Sequence, residues 1–275
     1  MAVGRLAGHL NGLRFRLRPK SIVAMYKLFF GEEWLEASVE SIIDQVDWVV
    51  LAVSDRAWSD APIEGDDLTQ VIERLKSRFG SKILPFTGSW ASQLQHVSDA
   101  LDWIRRNLPK TTHVLYIDSD EVYTSEQAAR LVGYAHDVRY TTRALAVSLH
   151  TYFRTIYYRI DPPEPITPLA LFPVFPGTRF TTFRRVNIRQ MHVPVWMHHF
   201  SYVRRSDERI RAKLEAFKDD EALIPGWYEN VWLKWTPETK DFHPTRPEAY
   251  HSVVPVLPEE LPPSVVEAYR RWHTT

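Results

Sequence analysis

Three acids fall within four positions at residues 118–121: Asp118, Asp120 and Glu121 directly follow the apolar run Val114-Leu115-Tyr116-Ile117. That run predicts a short buried strand. Its end would gather like charges that repel and resist ionising together. A divalent cation removes the conflict, because it holds the carboxylates ionised and would neutralise a diphosphate on its open side. A second acid, Asp55, ends the apolar run 47–53 in the same way. The bland alternative is a polar turn that caps the next helix, but Thr124 and Gln127 already form a capping pair without any acid. No G-x-G-x-x-G follows the first predicted strand and no G-x-x-x-x-G-K-[ST] occurs, so nucleotide phosphates would need another counter-charge.

The elements that must position these acids alternate. Strands are predicted at 21–26, 47–53, 82–86 and 113–117. Between them, helical spacing runs through Trp34, Leu35, Val39, Ile42, Ile43 and Val46, then Leu68 to Phe79, then Trp90 to Leu108. A fourth helix starts at the Thr124/Gln127 pair. Alternation of this kind implies an α/β fold, a Rossmann-like and mostly parallel sheet flanked by helices. In open sheets of that type the ligand sits beyond the carboxyl ends of the strands. The second half reads as mixed α+β: a strand at 143–153, a proline-rich stretch at 160–176 expected to be irregular, β-type segments at 179–189 and 195–203, the charged helix "SDERIRAKLEAF", the aromatic stretch "WYENVWLKW", and a last helix near Pro263. The expected organisation is a basic extension at 1–20, an α/β half at 21–142 and a mixed half at 143–275, all in one compact unit.

Composition narrows the classes. Lys+Arg and Asp+Glu are both 34, giving no net charge and arguing against a general nucleic-acid binder. There is no cysteine, hence neither a disulfide framework nor a thiolate site. No apolar run approaches the roughly 20 residues that cross a bilayer. Residues 1–20 carry Arg5, Arg14, Arg16, Arg18 and Lys20 without an acid. They read as a basic extension, with peripheral contact to an anionic membrane as the sharper alternative. The expected location is the cytoplasm or the inner membrane face.

"VDWVVLAVSDRAWSD", followed by "HVLYIDSDEVY" and then by "MHHFSYVRRSDERIRAKLEAF", "WYE" and "FHPTRP", resembles bacterial GT-A glycosyltransferases of the family 2 type over roughly residues 21–250. Ser54 stands where many members have an aspartate, and Arg56-Ala57-Trp58 replaces a glycine-serine-threonine run. The resemblance implies a nucleotide-diphosphate sugar donor (a UDP- or GDP-sugar) and a glycan, lipid-linked or protein acceptor. It implies that Asp55 contacts the base or ribose, that Asp118 contacts the ribose and places the metal, and that Asp120 binds Mn2+ or Mg2+. A histidine would complete the metal shell: His199 or His198, with His192 weaker. Alternation along a strand lets only one of the adjacent pair serve; His199 is preferred. Imidazole among carboxylates suits Mn2+ better than Ca2+. Arg204, Arg205 and Lys213 are the cations nearest in sequence for the diphosphate. Glu121, Asp219, Asp220 and Glu229 are candidates for the base that deprotonates the acceptor. Trp90, Trp196, Trp227, Trp232 and Trp235 could stack on acceptor sugars, whereas Trp34 and Trp103 belong to the core.

Two rivals use the same residues. "VLYIDSDEV" also fits the apolar-strand-then-DxD start of haloacid dehalogenase-like phosphohydrolases, in which the first aspartate is the nucleophile. A non-catalytic nucleotide-sugar-binding protein would keep the fold without turnover.

Overall fold

A computed structural model describes residue 15 and residues 18–29, 31–56, 68–216 and 223–272. Four parallel strands open the chain: β1 (Ile22–Leu28), β2 (Trp48–Ser54), β3 (Ile83–Gly88) and β4 (His113–Ile117), arranged β3-β2-β1-β4. Strand β1 is buried at every position, as both faces are covered. Its alternate residues divide between two cores. Ile22, Ala24, Tyr26 and Leu28 pack with helices α1 (Glu32–Ile42), α2 (Leu68–Phe79) and α4 (Ser125–His136), while Val23 and Met25 pack with α3 (Gln93–Asn107). The described residues thus confirm the alternating strand-helix pattern to within a few residues at each end.

Beyond β4 the sheet turns mixed. Strands β6 (Ala144–Phe153), β7 (Tyr158–Asp161), β8 (Leu169–Pro173) and β12 (Ser252–Pro255) continue it in the order β4-β8-β6-β7-β12. Here the proline-rich stretch departs from expectation, since β8 is regular and fully buried between β4 and β6. Its prolines lie at the margins, Pro168 before the strand and Pro173 at its last position, so "LALF" keeps its amide donors. The two short strands β9 (Phe180–Thr182) and β10 (Arg185–Val186) make a hairpin of their own. The long strand β11 (Gln190–Tyr202) runs parallel to β6 and antiparallel to the two-residue β5 (Glu121–Val122). It therefore crosses directly over the acidic turn.

Helices α5 (Asp207–Ala216) and α6 (Pro263–Trp272) finish the fold. The α4 cap is half of the expected box. Thr124 Oγ accepts from the Gln127 amide at 3.2 Å, but the Gln127 side chain instead accepts from the Trp196 amide at 3.0 Å, tying the helix start to β11. Among the described residues no helix is long and apolar enough to cross a membrane. Most of the basic N-terminal extension lies outside the described residues.

Candidate active site at the end of the central strands

The acids occupy a tight turn between β4 and β5. The Glu121 amide donates to the Asp118 carbonyl at 3.1 Å, and the Asp118 amide donates to Glu121 Oε2 at 2.8 Å. Glu121 Oε1 accepts from Arg184, and the side chain is 1% exposed. Both carboxylate oxygens are thus engaged out of solvent, and Glu121 braces the turn. That removes it from the catalytic role expected of it, because a base must reach the acceptor hydroxyl. Burial raises its pKa, opposed first by Arg184.

Four basic side chains relieve the like-charge conflict. Arg184, in the β9–β10 turn, donates to Asp118 Oδ2 at 2.7 Å as well as to Glu121. Lys27 of β1 lies 3.8 Å from Asp118 Oδ1 and donates to Gln93 Oε1 at 2.7 Å. Arg204 bridges Asp120 Oδ2 at 2.8 Å and Glu33 at 3.2 Å, and Lys213 of α5 stands 3.7 Å from Asp120 Oδ2. Burial would push the Asp120 carboxyl up, but Lys213 and Arg204 outweigh it and hold the group well below the usual carboxylate range. Conversely, burial and then the neighbouring Arg204 lower the Lys213 ammonium to about 7. Among the described residues four acids, counting Glu33, thus face four basic groups, of which Lys213 is only partly charged near pH 7. The cluster is near neutrality by itself.

The adjacent histidines separate as strand alternation requires. His199 points to the turn, with Nε2 4.0 Å from Asp120 Oδ1. His198 points into the core on the other face, its Nδ1 hydrogen-bonded to the Tyr152 hydroxyl at 2.8 Å, with burial lowering its pKa to about 3. It therefore drops out as a metal ligand. His192 is engaged elsewhere, 2.9 Å from Ser148 Oγ.

The donor set fits a divalent ion in part. Asp118 Oδ1 is buried without a hydrogen-bond partner. The Asp120 Oδ1 to His199 Nε2 gap of 4.0 Å is too wide for a hydrogen bond. Among the described residues no group of three His, Asp or Glu side chains is placed to hold an ion. An ion here would thus be held by few protein ligands and completed by substrate phosphates, as is usual for Mg2+.

Asp55 follows β2, its carboxylate accepting from Ser89 Oγ at 2.6 and 2.7 Å. Strand β1 separates β2 from β4, which sets Asp55 about 10 Å from the acidic turn along the same sheet edge. The loop after β1 reaches the turn as well. A Cβ on Gly31 would stand 2.8 Å from Ser119 Cβ, so only glycine fits there without a shift.

Of the other expected residues, Arg205 supplies its amide to Glu33 at 2.7 Å while its guanidinium lies over Trp272. Trp90, Trp227 and Trp232 are each 3% exposed and belong to the core, which removes them from any sugar-stacking surface. Trp196 stacks on His150 at 4.2 Å, and Trp235 packs on Phe153 and Phe242. Glu229 is exposed. Asp219 and Asp220 lie outside the described residues, as do Ala57 and Trp58. Sequence reasoning missed Lys27 and Arg184. Lys27 was visible as the one charge inside an apolar strand, whereas nothing local marks Arg184.

No family model matches the chain, and no curated protein matches its sequence. Solved structures do. S. aureus TarS 1-349 is 11% identical with a TM-score of 0.42, covering 74% of this chain and 66% of its own, and it has also been solved with UDP-GlcNAc. GalNAc-T7 with UDP, GalNAc and Mn2+ is 12% identical with a TM-score of 0.42, covering 73% of this chain and 48% of its own. A 4-diphosphocytidyl-2C-methyl-D-erythritol synthase is 16% identical with a TM-score of 0.35, covering 57% of this chain and 76% of its own. This chain therefore spans just under two thirds of TarS 1-349 and about half of GalNAc-T7.

Proposed function

We propose that the protein is a GT-A glycosyltransferase that moves a sugar from a nucleotide-diphosphate donor to a glycan, lipid-linked or protein acceptor. The observation that carries this reading is the pairing of Asp120 with His199, at 4.0 Å, beyond the carboxyl end of a central parallel strand. That edge is where open sheets take their ligands. Asp55, about 10 Å along it, would meet the base or ribose and Asp118 the ribose, so the two acids span one nucleoside diphosphate. Asp120 and His199 would hold Mn2+ or Mg2+, which supplies Lewis-acid neutralisation of the departing diphosphate. Arg204 and Lys213 keep Asp120 ionised and lend positive charge beside the leaving group. A cluster already balanced in charge has little affinity for a bare cation, so ion and nucleotide should bind together.

The test is donor turnover. The protein is incubated with a panel of UDP- and GDP-sugars and Mn2+, with release of the nucleoside diphosphate followed against Asp120→Ala. Metal-dependent release from one donor, lost in the variant, supports the assignment. Hydrolysis of an aryl phosphate with no donor turnover would favour the phosphohydrolase reading, and tight donor binding without turnover the non-catalytic one.

A further inference from the structure

The His199 ring is approached from behind by a side-chain pair outside the acidic turn. Thr151, on β6 and paired with His199 across the β6–β11 ladder, places its Oγ1 3.5 Å from His199 Nδ1. The same hydroxyl donates to Glu164 Oε1, which arrives from the proline-rich loop before β8. A hydroxyl has one proton, and an ionised carboxylate can only accept. With that proton given to Glu164, Thr151 can only accept from His199, so the ring proton sits on Nδ1. The Nε2 lone pair then faces Asp120 Oδ1 across 4.0 Å, so both atoms present lone pairs to the same space.

We propose that Thr151 and Glu164 are positioning residues that fix His199 in its Nδ1–H tautomer and so present Nε2 to the divalent ion of a metal–nucleotide complex. This rests on the nucleotide-sugar reading above. It gives the loop a purpose that its sequence does not announce, and it adds two residues to the site. Outer partners of this kind change metal affinity about 10–100-fold when removed.

The experiment reads the tautomer and the affinity separately. Protein carrying 15N-histidine is studied metal-free at pH 8 by long-range 1H–15N spectra, with the His199 signals identified by their loss in His199→Gln. The wild type is expected to show His199 protonated at Nδ1. Thr151→Val, which keeps the shape but deletes the hydroxyl, should lose that preference, and Thr151→Ser should keep it. Mn2+ affinity in the presence of UDP or GDP, whichever the wild type binds, followed by the EPR signal of free Mn2+, should fall about 10–100-fold in Thr151→Val and by less than 10-fold in Thr151→Ser. A wild-type His199 protonated at Nε2 overturns the proposal without recourse to any Thr151 variant. So does a Thr151→Val protein that retains both tautomer and affinity. If the tautomer behaves as expected but the wild type binds neither UDP nor GDP with Mn2+, the hydrogen-bond relay stands and the nucleotide reading falls.

Discussion

Arg184→Met removes the one guanidinium among the described residues that touches both Asp118 and Glu121 while keeping most of the aliphatic volume. Glu121 is 1% exposed and Arg184 20%, so the pair is largely withdrawn from solvent screening. Deleting one partner of a buried pair costs about 3–5 kcal/mol, chiefly because it strands the other charge. The lower end applies here, since Asp118 is 23% exposed and Lys27 remains 3.8 Å from it. For a chain of this size about 3 kcal/mol corresponds to a fall in Tm of roughly 6–10 °C. If stranded charge is the cause, Arg184→Met/Glu121→Gln should recover most of the loss, because a neutral amide can still accept from the Asp118 amide. The assay is thermal and urea unfolding of the wild type, both singles and the double, closed as a double-mutant cycle with a coupling of about 2–3 kcal/mol. A single variant melting within about 1 °C of the wild type, or a double no better than the single, would refute the claim that this arginine neutralises the turn.

Gly31→Ala should push Ser119 aside, costing about 1–3 kcal/mol and weakening nucleotide binding more than fold stability, as read by calorimetry beside a thermal melt. Lowering the pH from 7 to 5 should destabilise the protein through its buried imidazoles. Burial brings His113 to about 4 and His96 to about 3 in the folded state, below the unfolded value near 6.5. The unfolded chain therefore takes up protons that the folded one refuses. Stability present near pH 7 is lost as pH falls below about 6.5, by about 2 kcal/mol per group at pH 5. Urea midpoints at the two pH values check this, and His113→Gln should flatten part of the slope. Trp34→Phe leaves the Val203 carbonyl without its 2.8 Å donor in a fully buried site. A loss of about 1–3 kcal/mol is expected in urea unfolding.

The first half of the fold was legible because its strands are mostly apolar runs and its helices carry apolar residues at helical spacing. Strand β8 was not, as its flanking prolines masked four ordinary strand residues. In the site, Asp118 and Asp120 stand out by type and spacing, His199 enters through the resemblance, and alternation along β11 puts His199 beside the turn and His198 on the other face. Of the cations, Arg204 and Lys213 are singled out in the sequence by their nearness to the histidine pair, whereas Arg184 is not. Arg184 and Glu164 reach the site from loops 66 and 44 positions from Asp118 and Asp120 respectively, so only tertiary structure joins them to the acids. Sequence reasoning answered the crowding of acids with a metal ion alone. The structure answers it first with Lys27, Arg184, Arg204 and Lys213.

That balance gives the central claim its most direct test. UDP and GDP are titrated calorimetrically into wild-type protein and Asp120→Ala, each with Mn2+ and with chelator, and Mn2+ is titrated alone. The account predicts weak binding of bare Mn2+, tight binding of one nucleotide only when Mn2+ is present, and loss of that synergy in a folded Asp120→Ala. Absence of nucleotide binding under every metal condition, or synergy that survives in Asp120→Ala, would contradict it.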